Sequence, residues 1–322
     1  MKAYIIYMIA ASALLIPAGG CSDGLTEGGA ATDGDIVTFS ATVAPMTGDT
    51  QTRATVDGTF EEGNTIGVLS KGDTKAKTYV YRSGQFVPAT DADAIRWQGT
   101  ANEQKTLTAW YPNVEMDKAF FLPINQSSDE NFAAADFLYT EIITITRTQT
   151  SLLFKRINNA RITVNLRAGT GISKAALSLA TVKLPAFNTN KYSLNSDGTI
   201  SINAGSVSGP VYPHERPPAT AGYIRTFDAV VGAITFQYDK QPDPIELIRI
   251  TIDDNKDYSY RKILSSENPF LYFKENRHYT YNVTVNDDGL TLAPPTGGTW
   301  EQYGKDENIK SKDANSTPSN NP

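Results

Sequence analysis

The chain is predicted to be all-β, two antiparallel β-sandwiches in tandem, and three observations carry that expectation. Short runs of alternating apolar and polar residues recur along the chain, Gly, Asn, Asp and Pro punctuate them, and no long stretch has helical periodicity. The length of 322 residues exceeds the usual size of one core, which points to two domains of about 110 to 150 residues each.

Residues 1–20 follow the secretion pattern: Lys2, an apolar run from Ala3 to Ile16, then Ala18-Gly19-Gly20 before Cys21. The run is short for a membrane span. Cys21 is the only cysteine, so the chain forms no internal disulfide, and its place after the small residues marks it as the lipid-accepting residue of a lipoprotein leader. Residues 21–35 are mostly Gly, Asp, Glu, Ser, Thr and Ala, a composition that buries too little apolar surface to order itself, and they read as a flexible tether.

The run Ile36 to Val43 alternates with period two, placing Val37, Phe39, Ala41 and Val43 on one face and Thr38, Ser40 and Thr42 on the other. It reads as a half-buried strand that opens the first sandwich, residues 36–149. Burying Val37, Phe39 and Val43 is worth about 1.5 to 3 kcal/mol each, or roughly 5 to 9 kcal/mol together. That rivals the stability of a whole domain. Beyond this strand, Arg53 and Ala54 lie in a polar stretch, Gln51-Thr52-Arg53-Ala54-Thr55, reachable by a trypsin-like protease.

Further strands are expected at Thr65 to Leu69, Thr78 to Tyr81, Gln85 to Val87 after the turn Ser83-Gly84, Ile95 to Trp97 and Leu107 to Tyr111. Asn125 to Asn131 reads as a loop, and Phe137 to Ile145 as a strand or extended connection. A second set, residues 150–304, runs through Leu152 to Phe154, Ala160 to Leu166, Leu177 to Leu184, Thr199 to Ile202, Val230 to Tyr238, Ile245 to Ile252, Tyr258 to Leu264 and Tyr279 to Val285. The sandwiches are expected to join near residue 150. Residues 305–322 read as a disordered polar tail.

Chemistry finds little footing in these residues. His214 and His278 stand far apart, and Gly169-Thr-Gly171 with Lys174 lacks the Gly-Lys-Ser/Thr ending of a phosphate loop. Asp253-Asp254-Asn255-Lys256-Asp257 reads as a hairpin turn, since it lacks the Gly and terminal Glu of a calcium loop. Trp97, Trp110 and Trp300 are expected in packing roles, which strands favour for aromatics. No metal or cofactor is expected. The net charge of −6, without a basic block, argues against nucleic-acid binding.

Several short motifs, in order over most of the chain, resemble the fimbrillins of Bacteroidota, lipoprotein-derived subunits of type V pili. They are Ala18-Gly-Gly-Cys21, Val37-Thr-Phe39, Thr52-Arg-Ala54, Ile66-Gly-Val68, Trp110-Tyr-Pro112, Gln126-Ser127, Asp136-Phe-Leu138, Leu153-Phe154, Ala160-Arg-Ile162, Tyr279 to Val285 and Trp300-Glu301. The resemblance implies two transthyretin-like sandwiches and a non-enzymatic role in pilus assembly and cell adhesion. It implies a lipid anchor at Cys21 in the outer membrane and a cut between Arg53 and Ala54 by an arginine-specific protease. The strand carrying Val37, Phe39, Ala41 and Val43 would then leave, and a strand from another pilus subunit would take its place. A host or bacterial surface ligand completes the expected partners. The polar tail after Gly304 lacks the alternating apolar residues of a donor strand, so anchor, tip and stalk roles stay open, beside a glycan-binding surface lipoprotein that never polymerises.

Overall fold

The computed structural model describes residues 34–46, 58–218, 220–240, 244–252 and 256–293. Its first half contains strands β1 (Ser40–Val43), β2 (Thr65–Ser70), β3 (Lys77–Arg82), β4 (Gln85–Pro88), β5 (Gln104–Tyr111), β6 (Ala119–Phe121), β7 (Leu138–Tyr139), β8 (Ile143–Thr146) and β9 (Ser151–Arg156). One sheet runs in the order β1-β9-β7-β5-β2-β3-β4, with β8 pairing β5. The β3–β4 hairpin turns at Ser83-Gly84, whose φ angles of 50° and 88° suit the left-handed two-residue turn that matches strand twist.

The first segment ties the two ends of this sheet together. Phe39 exchanges backbone hydrogen bonds with Phe86 of β4, at 3.0 and 2.8 Å, while Ser40 to Val43 runs parallel to Ser151 to Phe154 of β9. Alternation in sequence fixes which face is buried and leaves the partner open. This parallel ladder is therefore a finding of the structure, as is the other parallel pair in the second half.

That half contains β10 (Asn159–Ala168), β11 (Thr181–Lys183), β12 (Thr189–Leu194), β13 (Ile200–Val207), β14 (His214–Arg216), β15 (Arg225–Gly232), β16 (Ile234–Gln237), β17 (Ile245–Ile252), β18 (Lys256–Lys262), β19 (Phe270–Phe273), β20 (His278–Asn286) and β21 (Gly289–Ala293). Strand β10 is central, antiparallel to β15 and parallel to β20 in the order β14-β15-β10-β20-β21. The first eight residues of β10 are buried, as expected where both faces of a strand are covered. Strands β11, β17 and β18 form a second sheet, and Ile162, Val164, Ile248, Ile250, Tyr258 and Val283 share one core.

Among the described residues two short α-helices, besides a 3-10 turn at Asp91–Asp93, interrupt the strands. Helix α1 (Asp129–Ala135) begins at Ser128, whose side chain caps the Asn131 amide, and α2 (Lys174–Ser178) begins at Ser173, which caps Ala176 in the same way. Part of the segment expected as a loop, Asn125 to Asn131, is therefore helical, and the expected strand from Leu177 to Leu184 is the end of a helix followed by β11. The run Val230 to Tyr238 divides between β15 and β16.

The sheets do not divide at residue 150. Strand β9 follows that point yet pairs with β1 and β7. Conversely, β6 from the first half pairs with β12, giving a three-stranded sheet β13-β12-β6. Leu69, Trp110, Leu122 and Phe137 pack with Tyr192 and Leu194 in one cluster, so apolar surface is shared across the two halves.

Candidate functional site

The seat of the first segment is the most specific feature of the fold. Val37 and Phe39 are fully buried, Val43 nearly so, and Ala41 packs against the same cluster as a partly buried residue. The Phe39 ring meets Tyr79 edge-on at 5.0 Å. Upstream, Trp97 N donates to Asp35 O at 2.9 Å and Val37 N donates to Ile95 O at 2.8 Å; downstream, Ala44 N donates to Phe154 O at 2.8 Å. Both backbone edges of the segment are thus engaged, though by different neighbours along its length.

Three arginines fasten its ends. Arg96 donates to Gly34 O at 2.7 Å, Arg147 to Asp35 Oδ2 at 3.1 Å, and Arg156 to Ala44 O at 3.2 Å. Arg156 is itself buried and makes a two-pronged ion pair with buried Asp136, Nε to Oδ1 at 2.7 Å and Nη2 to Oδ2 at 2.9 Å. Burial pushes the Tyr79 hydroxyl up to about 12, and that oxygen accepts from Ile95 N at 3.0 Å. The seat offers apolar pockets and backbone partners, the requirements of a strand.

The sequence assigns none of these arginines a role; Lys155-Arg156 stands out only as a departure from the fimbrillin pattern, although one further signal exists. In Ser151 to Arg156 the buried residues are Leu152, Phe154 and Arg156, so Arg156 falls on the apolar parity of an alternating strand. Cys21, Arg53, Ala54, the Asp253-Asp254-Asn255 turn and Trp300 lie outside the described residues. Trp97 and Trp110 are buried, in keeping with packing. His214 stacks on Phe132 at 4.9 Å and reaches Asp129 Oδ1 at 3.1 Å, which docks α1 against β14. His278 is part of a second buried polar group. Its Nε2 lies 2.6 Å from Thr163 Oγ1, and Thr163 also bonds to Asp228. Arg161 Nη2 and Arg216 Nη1 approach Asp228 Oδ2 at 2.6 and 3.0 Å. Burial pushes the Asp228 carboxyl up, but these guanidinium groups and the Thr163 bond outweigh it and hold the carboxyl below its ordinary value. With both Asp228 oxygens engaged in this way, the group reads as structural.

The sequence profile of the fimbrillin-like family matches residues 52–300. The chain belongs to that family. No curated protein matches it. Among solved structures, one from Bacteroides ovatus described as a candidate cell adhesion protein superposes with a TM-score of 0.56 at 16% identity, covering 84% of this chain and 100% of that one. Another so described, from Bacteroides uniformis, gives 0.52 at 15% identity, covering 80% and 96%. At such identity the likeness speaks for the fold alone. The fimbrillin-like motifs now acquire physical roles. Gly67 of Ile66-Gly-Val68 faces Trp110 of Trp110-Tyr-Pro112, where an added Cβ would lie 2.4 Å from the indole. Gln126 is fully buried and clasps Val230, donating to its O at 2.7 Å and accepting from its N at 2.9 Å.

Proposed function

We propose that this fimbrillin-like chain is a non-enzymatic subunit or adhesin of a type V pilus, held in the outer membrane by lipid on Cys21 and activated by loss of its first strand. The observation that supports this reading most is the position of Ile36 to Val43. It joins β4 to β9 and fills the core with Val37, Phe39 and Val43. Cutting between Arg53 and Ala54 would detach the segment covalently from the fold it completes. Its departure would leave two unpaired edges and an apolar trough, a strong driving force for accepting a strand from another subunit. An arginine-specific protease and neighbouring pilus subunits are the partners this mechanism needs.

Amino-terminal sequencing of the protein taken from the cell surface tests the proposal. A chain beginning at Ala54, together with a donor-strand peptide that binds only after cutting, is the expected result. A chain that stays lipid-blocked at Cys21 and uncut, and that gains no peptide binding when cut in vitro, refutes assembly. It would favour instead a glycan-binding surface lipoprotein, for which a polar cleft beside Arg96 gives a place. Cys21→Ser should abolish metabolic lipid labelling and retain the leader; unchanged labelling would refute the anchor.

A further inference from the structure

A cleft of about 630 Å³ opens at one end of the first sheet, between the β2–β3 connection, the start of β5 and the segment from Ala94 to Gln98. Its volume suits a small ligand. We propose that this cleft binds an acidic oligosaccharide, a chain of sugars carrying carboxylate groups, through Lys71 and its neighbours.

The cleft is lined by polar and charged side chains, four of them cationic against two carboxylates, in a chain whose net charge is −6. Most of these charges already have work. Arg96 serves Gly34 O and Asp91, Lys77 donates to Ala92 O at 2.8 Å, and Lys105 pairs with Glu103 at 2.6 Å. Glu103 also accepts from Gln98 N. Lys71 and Asp73, one on each side of Gly72 in the exposed turn, have no side-chain hydrogen bond or ion pair among the described residues. The Ser70 hydroxyl is buried beside them without a partner. An unspent ammonium, an unspent carboxylate and an unsatisfied hydroxyl at one wall match a ligand that offers both hydroxyls and acid groups.

The lining also narrows the ligand class. No aromatic face is open to stack a base or an apolar ring: Trp97 is buried, with Lys105 and Arg147 over its ring at 5.6 and 5.3 Å. An apolar ligand would desolvate charged groups without replacing their bonds. A polyhydroxylated, negatively charged ligand replaces them. Ile95 and Arg96 line this cleft and also hold the first segment, so the binding is tested on the uncut chain.

The test is titration of the full chain with trigalacturonate by calorimetry, beside maltotriose and sodium sulfate. Saturable one-to-one binding of trigalacturonate is expected, weakened at least tenfold by Lys71→Glu and by 0.5 M salt. The exposed Lys240→Glu, on the other half of the chain, should leave it within twofold. Gln98→Ala provides a second, exposed cleft variant, expected to weaken binding severalfold, should Lys71→Glu misfold by circular dichroism. Absence of saturable binding overturns the proposal. So does equal loss in Lys240→Glu, equal affinity for maltotriose, unchanged binding in the folded cleft variants, or sulfate competing as well as the saccharide.

Discussion

Replacing Phe39 with alanine tests whether the first segment is part of the core it completes. The side chain is fully buried and packs edge-on against Tyr79 at 5.0 Å, while the backbone exchanges two hydrogen bonds with Phe86. Truncation leaves the backbone bonds in place but removes the ring's contacts and creates a cavity, at a cost of about 3 to 5 kcal/mol. Against a domain stability of about 5 to 15 kcal/mol, that is a large fraction. Leu153→Ala is the matched control, since Leu153 is half exposed on β9 beside the same segment and its truncation should cost within about 0.5 kcal/mol. Urea denaturation gives the two stability changes, and hydrogen exchange at the Phe39 and Phe86 amides locates them. Phe39→Ala should lower stability by the larger amount and speed exchange at both amides, whereas Leu153→Ala should do neither. A cost below about 1 kcal/mol, or a full loss of stability with Phe86 exchange unchanged, would refute the view that this segment holds the sheet ends together.

Gly67→Ala should destabilise the fold by about 1 to 3 kcal/mol through overpacking against the Trp110 indole, with a changed near-ultraviolet circular dichroism signal from that ring. Arg156→Met should cost about 3 to 5 kcal/mol by stranding the buried Asp136 carboxylate, and adding Asp136→Leu should recover much of it in urea denaturation. Asp228 should make the fold acid-labile. Its carboxyl is held below the ordinary value when folded, so its stabilisation is present above the unfolded pKa of about 3.9 and is lost as pH falls through the lower folded one. Denaturation midpoints measured from pH 6 to pH 2 should fall less steeply in Asp228→Asn, although that variant is weaker at pH 6; an unchanged slope would remove Asp228 from the account.

The burial of the first segment was legible because period two is a local property: Val37, Phe39 and Val43 face the core as the alternation requires. The Ser83-Gly84 turn was legible for the same reason, since two left-handed residues define it without reference to anything distant. Pairing was not legible. Nothing in Ser40 to Val43 says that its neighbour is β9, more than a hundred residues away, or that the ladder is parallel. The caps at Ser128 and Ser173 were present in sequence, but helices of seven and five residues are too short to show a period. The joint near residue 150 was drawn from the spacing of strand-like runs, while sheet membership depends on where β6 and β9 find partners.

The residues that carry the family resemblance make specific contacts in the fold. Gly67 admits the Trp110 ring, Gln126 reaches the Val230 backbone, and Asp136 holds Arg156, which in turn holds Ala44 at the end of the first segment. Each is a packing or positioning device, and Gln126 ties the first half of the chain to the second. The groups with shifted acidity point the same way: Tyr192 is raised by burial among Asn190 and Asn159, and Tyr281 is raised by burial in the second core. A catalytic cleft gathers such groups around an open space, where their altered protonation serves a reaction. Here Tyr192 and Tyr281 sit inside packed sheets, and the arginines that fasten the first segment meet backbone carbonyls and an exposed carboxylate. Side chains grip the first segment at its ends, with apolar pockets between, and these are the contacts on which the proposed strand exchange would act.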